Sequence, residues 1–202
     1  MSSIMALDIE TGNYSYEIGG WDKTALFEPT VVATWDGSNG HIFTNMDVQV
    51  EGANHYHPLH PRELGDHLQK HVEAGGKILG HNLLGFDLPV LHNALDCYYA
   101  GELLRNSEHV IDTSRMMNSL AGHRVPLDDV CKHTLGLGKT AMKSEEAPLA
   151  WREGRYDEVA DYCLKDCKLV FDLYRHGQVE GLVKARHVET GLIMDYGVEW
   201  NE

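Results

Sequence analysis

Two pairs of residues, and one further carboxylate, have types and positions that suit chemistry together. In "ALDIETG", Asp8 and Glu10 lie two apart, so on a strand both carboxylates project from one face. In "KILGHNLLGFDLPVL", Asp87 stands just after a short apolar run, where a helical pattern begins. In "YCLKD", Tyr162 stands four before Asp166, about one helical turn, which stacks a phenol on a carboxylate. If the strand carrying Asp8 neighbours the strand "KILGHN", the four carboxylates converge. Carboxylates crowded into a small cleft oppose one another's ionisation unless cations neutralise them. Hard oxygen donors of this kind suit Mg²⁺ or Mn²⁺ rather than Zn²⁺. The chemistry expected is therefore that of a divalent-cation site.

The elements that must position these groups follow from periodicity and punctuation. "SIMALDIE" reads as a strand ending at its acids, and "TVVATWDG" and "HIFTN" continue it as an antiparallel meander. "PRELGDHLQKHVEAGG" opens with Pro and closes with Gly-Gly, as a helix does. "KILGHN" is a brief buried strand. "FDLPVLHNALDCYYAGELL" reads as one helix, with Asp87 capping it and Pro89 in its first turn. A short strand "HVID" and helices over 113–120, 127–135 and 155–176 follow, then a hairpin of "LVKARHV" and "GLIMDYGVEW". In the last of these helices Tyr156, Ala160, Cys163, Cys167, Val170 and Tyr174 form an apolar stripe, with Tyr162 and Asp166 along its edge. Strands first, then strands alternating with helices, predict an α/β fold with a mixed central sheet. Residues 12–29 and 138–154 read as long irregular segments on the rim of a site.

The whole chain narrows the function classes. Its 202 residues, 43% hydrophobic, suit a single domain over 1–202. No apolar run reaches the roughly 18 residues of a membrane helix and the start lacks a basic, then apolar, leader, so a soluble, cytoplasmic protein with no membrane partner is expected. Four sparse cysteines read as reduced thiols. Seventeen Lys and Arg against 31 Asp and Glu give a net charge of −14, the wrong sign for a tight duplex binder. An acidic cation site fits that balance, because bound ions reverse the local charge. "HYHPLHP" and "HLQKH" have zinc-compatible spacing but no accompanying zinc motif. "LGLGKT" lacks the spacing of a phosphate loop, and Asp112 in "VIDTS" reads as a strand-end cap. Tyr14, Tyr16, Trp21 and Phe27 suit either base stacking or a satellite hydrophobic cluster, and Lys139 and Lys143 suit backbone contact or plain solvation.

Taken in order, the three motifs resemble the DEDD superfamily of 3′-to-5′ exonucleases, which have the ribonuclease H-like fold. "ALDIETG" matches its first motif, "GHNLLGFDLPVL" its second and "YCLKD" its third. A tyrosine four before the last aspartate resembles the DEDDy branch, which includes the proofreading domains of family B polymerases and small bacterial or viral exonuclease domains. The other branch has a histidine five before that aspartate, where this chain has Asp161. The resemblance implies that Asp8, Glu10, Asp87 and Asp166 hold two divalent cations, Mg²⁺ or Mn²⁺, with Asp8 between them. It implies that Tyr162 orients the attacking water, and that Thr11 and Asn82 contact the terminal nucleotide, although both also suit turn or cap roles. The expected reaction is hydrolysis at single-stranded 3′ ends by a two-metal mechanism, releasing nucleoside 5′-monophosphates. DNA is the favoured substrate and RNA the alternative within the class. A non-catalytic binding module on the same fold, tethered to a helicase or polymerase partner, is the alternative outside it.

Overall fold

Strand β1 (Ile4–Thr11) is the axis of the sheet in the computed structural model, which describes residues 3–137 and 142–200. Strand β2 (Pro29–Trp35) pairs antiparallel with β1, and β3 (Gly40–Thr44) antiparallel with β2, which is the expected meander. Strand β5 (Lys77–Gly80) lies parallel to β1 on its other side, with Ala6 opposite Leu79, so the neighbour relation that the acids need is present. Strand β6 (Val110–Asp112) is parallel outside β5. A short strand, β4 (His55–His57), adds parallel to β3 and completes the order β4-β3-β2-β1-β5-β6. The zinc-like spacing of "HYHPLHP" thus belongs in part to an edge strand. The fold is a mixed α/β sheet flanked by helices, consistent with a ribonuclease H-like exonuclease.

Alternation along β1 sorts its side chains into two cores. Met5, Leu7 and Ile9 pack with Leu64, Leu68 and Val72 of helix α1 (Pro61–Glu73) on one face. Ile4 and Ala6 pack with Ala160, Cys163 and Cys167 on the other, where helix α7 (Tyr156–Glu180) crosses the sheet. A strand buried on both faces requires a near-continuous apolar run, and "IMAL" supplies one. Helix α7 ends at Gly181, whose φ of 63° is the left-handed conformation that glycine adopts without a Cβ penalty. Its buried surface is wider than the apolar stripe predicts and takes in Tyr162 and Asp166. The thiols of Cys163 and Cys167 donate across the helix–sheet gap to the carbonyls of Asp8 and Ala33, each at 3.3 Å. All four cysteines are buried and none is in a disulfide.

Three local expectations are corrected. The single helix predicted from Phe86 is a π-turn (Leu83–Asp87) followed by two helices, α2 (Leu88–Asn93) and α3 (Tyr98–Arg105). They part near Asp96, whose φ is 61°. Asp87 has helical dihedrals itself (φ −59°, ψ −55°) and makes no capping bond, so it is not the cap that the Pro89 context suggests. Residues 138–154 are not wholly irregular, because helix α6 (Ala147–Arg152) lies within them. The other predicted helices appear as α4 (Thr113–Ala121) and α5 (Leu127–Leu135), and the terminal hairpin as β7 (Leu182–Arg186) and β8 (Ile193–Gly197). Lys139 lies outside the described residues. No helix among the described residues is long and apolar enough to cross a membrane.

Candidate active site

Asp8 and Glu10 continue the parity of Ile4 and Ala6, so both carboxylates point to the α7 side of the sheet. They sit where β1 outruns β5, beyond the last register pair at Ala6 and Leu79. On α7, Tyr162 and Asp166 are one turn apart and almost wholly buried. Between them Cys163 is hydrogen-bonded to the Asp8 carbonyl, which pins this turn of the helix to the end of β1. Carboxylate oxygens from Asp8, Glu10 and Asp166 come within 4.8 Å of one another, a grouping of metal-ligand type found at no other place among the described residues. Three acids at that separation, with hard oxygen donors, fit a divalent cation by charge and by donor chemistry.

Asp87 reaches the same cleft from the β5 side. Asn82 turns the chain with a φ of 77°, and the π-turn that follows brings Asp87 beneath β1, where its carboxylate accepts from the Ile9 N–H. Burial pushes the Asp87 carboxyl up to about 7, with the charges of Asp112 and Asp166 adding to the effect. Burial, and then the carboxylates of Asp166, Glu10 and Asp8, hold the Tyr162 phenol far above its ordinary range. Its hydroxyl keeps the proton and donates to Asp166.

All seven residues singled out in the sequence line one cleft of ≈ 1220 Å³. That exceeds the roughly 300–1,000 Å³ usual for small-molecule sites and leaves room for more than a mononucleotide. Within it the Thr11 hydroxyl donates to the Asn13 carbonyl at 3.1 Å, a turn role. Asn82 is exposed, and its side chain lies against the bare Cα of Gly85.

The aromatic residues of 12–29 divide their duties. Phe27 is buried and meets Phe86 edge-on at 5.0 Å, while Trp21 packs on both, lines the cleft and is 67% exposed. Tyr14 and Tyr16 stack at 4.9 Å. One residue not picked out by the sequence, Arg152 of α6, fastens this loop. Its Nε donates to the Gly12 carbonyl at 2.8 Å, its two terminal nitrogens hold Glu17 at 2.8 and 2.6 Å, and its guanidinium lies over Tyr14. That hydrogen bonding keeps the Glu17 carboxyl near 2, well below the usual carboxylate range. Two cations, Arg124 and Lys143, also line the cleft. No spacing rule links residues 135 or more apart, so Arg152 carries no sequence signal.

Among the described residues the histidines form no metal-ligand group of three or more. His60 accepts from the Arg62 N–H as the α1 cap, and His71 pairs with the Lys77 carbonyl. His41, His55, His57 and His67 cluster on the α1 side of the sheet, but their ring nitrogens are committed to protein partners: His41 Nδ1 lies 3.0 Å from His57 Nε2, and His67 Nε2 lies 3.0 Å from the Thr34 hydroxyl, while His41 stacks on His55.

Compared with known families, residues 60–190 match the model of a family described as "Predicted 3'-5' exonuclease related to the exonuclease domain of PolB". The matched segment covers well over half of the chain and contains Asp87, Tyr162 and Asp166, while Asp8 and Glu10 precede it. A search of curated proteins finds no match.

Proposed function

Because the chain belongs to the family of predicted 3′-5′ exonucleases related to the exonuclease domain of PolB, we propose that it is an active enzyme of the DEDDy type. In this reading it forms one domain and removes nucleotides from single-stranded 3′ ends, DNA by preference. The observation that carries the reading is the convergence of Asp8, Glu10 and Asp166 within 4.8 Å in a cleft that Asp87 and Tyr162 also line. The family match and this geometry are independent in part, since the first motif lies outside the matched segment.

Asp8, Glu10 and Asp166 would hold one divalent cation, and Asp8 with Asp87 a second. Two such ions, Mg²⁺ or Mn²⁺, supply an acidified water and charge stabilisation at the leaving oxygen. The chain's own groups do the rest. Tyr162 donates a hydrogen bond that fixes the direction of attack, because its raised pKa keeps the phenol protonated. Thr11 and Asn82 bound the space for the terminal nucleotide at the ends of β1 and β5. Trp21 and Tyr16 offer exposed rings to unpaired bases, which a duplex would not present. Four buried thiols, none in a disulfide, accord with a reducing, cytoplasmic setting. With a net charge of −14, a polymerase or helicase partner would bring the basic track that this chain lacks.

The test is product identity. Single strands of DNA and of RNA, 3′-labelled and incubated with Mn²⁺, are expected to release labelled nucleoside 5′-monophosphate, faster from DNA. Release of oligonucleotides or of nucleoside 3′-monophosphates would refute the reading.

A further inference from the structure

The oxygens of one buried side chain outside the carboxylate cluster are over-committed for the role that its position suggests. Asp112, at the junction of β6 and α4, is 4% exposed. Its Oδ1 accepts from the N–H groups of Ser114 at 3.1 Å and Arg115 at 3.2 Å, an ordinary helix cap. The same Oδ1 also accepts from the Asn82 N–H at 2.9 Å, and Oδ2 from the Leu84 N–H at 3.0 Å. Those two amides flank the entry to the π-turn that ends at Asp87. Next door, the Thr113 hydroxyl donates to the Gly80 carbonyl at 3.0 Å and lies 3.0 Å from His81 Nδ1. The start of α4 therefore grips the β5-to-π-turn connection at Gly80, His81, Asn82 and Leu84.

A cap needs one oxygen, and a buried carboxylate beside Asp87 raises the cost of charging Asp87. The second oxygen is explained by what it holds. We propose that Asp112 is a positioning residue: through the Asn82 and Leu84 amides it fixes the left-handed turn and the π-turn, and so sets where the Asp87 carboxylate stands relative to Asp8. This rests on the reading of Asp87 as an ion ligand. Removing a group that orients a ligand from behind typically costs about 10–100-fold in metal affinity or activity.

Asp112→Asn separates the two duties. Asn is as good a cap as Asp, and its single Oδ1 can still serve Ser114 and Arg115. Its NH₂ then faces the Leu84 N–H, donor against donor. The expected variant melts close to wild type and keeps slow hydrogen exchange at Ser114 and Arg115. It loses that protection at Leu84, and both Mn²⁺ affinity and kcat fall about 10–100-fold with KM little changed. Asp112→Ser, also a good cap with no second oxygen, serves if the Asn variant fails to fold. A folded variant with wild-type Mn²⁺ affinity and kcat would overturn the proposal, and so would a wild type that binds no Mn²⁺. A wild type that binds Mn²⁺ without cleaving any strand would sink the exonuclease reading alone, leaving the Mn²⁺ affinities to decide the role of Asp112.

Discussion

In the proposed reading, Tyr162 and the acids around it divide the work by atom. In the account above, the carboxylates carry charge for cations and the phenol carries direction, because burial beside Asp166 keeps its proton in place. Tyr162→Phe should therefore lower kcat by about 10²-fold, the cost of a misdirected attack, while Mn²⁺ affinity by calorimetry stays at the wild-type value. Equal losses in both would mean that the phenol supports the ion site rather than the water. Asp166→Ala should abolish turnover even at saturating Mn²⁺, and wild-type rates in that variant would displace the site from this helix. Asp8, Glu10, Tyr162 and Asp166 were legible in the sequence because spacings of two on a strand and four on a helix fix relative direction locally. The cap role of Asp112 was legible too, but its hold on Asn82 and Leu84 and the role of Arg152 were not, since those partners lie about 30 and 140 residues away in the chain.

At the level of elements, the strands and long helices followed from apolar periodicity, whereas the segment that aims Asp87 did not. "FDLP" has the marks of a cap followed by Pro, but the amides of Asn82 and Leu84 are held by Asp112, and that tertiary grip overrides the local signal. The edge strand β4 was hidden because three residues are too few to show alternation. That edge makes a pH prediction. Burial first, then neighbouring imidazoles, lowers His41 to about 4 and His67 to about 3, and lowers His57 as well. Asp36 and Glu63 oppose the shift. Neutral rings are favoured in the fold while unfolded histidines charge near 6.5. Their contribution is whole above about 6.5 and is lost as pH falls toward about 3. The melting temperature in EDTA should fall less steeply over that window for His67→Leu than for wild type, and parallel slopes would show that the cluster does not titrate with unfolding. Arg152 makes a second prediction. Arg152→Ala releases the 12–28 loop from α6, so KM for a single strand should rise several-fold with kcat nearly unchanged. An unchanged KM would remove this loop from substrate binding.

Across the whole molecule, a net charge of −14 surrounds a cleft that must admit a polyanion. In the proposed reading, bound cations with Arg124 and Lys143 would reverse the sign locally, while the acidity of the rest of the chain would repel a strand. Each binding event should be brief. With excess unlabelled trap strand added after mixing, products should be shortened by only a few nucleotides, and long runs of digestion under trap would contradict so acidic a track. The family match begins at residue 60, after the first motif, so the sheet itself joins the two parts of the site: β1 carries Asp8 and Glu10 to α7. The most direct measurement of the central claim follows 5′-labelled single-stranded DNA with Mn²⁺, comparing wild type with Asp8→Ala and with an EDTA control. Stepwise shortening from the 3′ end is expected for wild type with metal, and an intact strand in both controls. Shortening that persists in Asp8→Ala or in EDTA would contradict that claim.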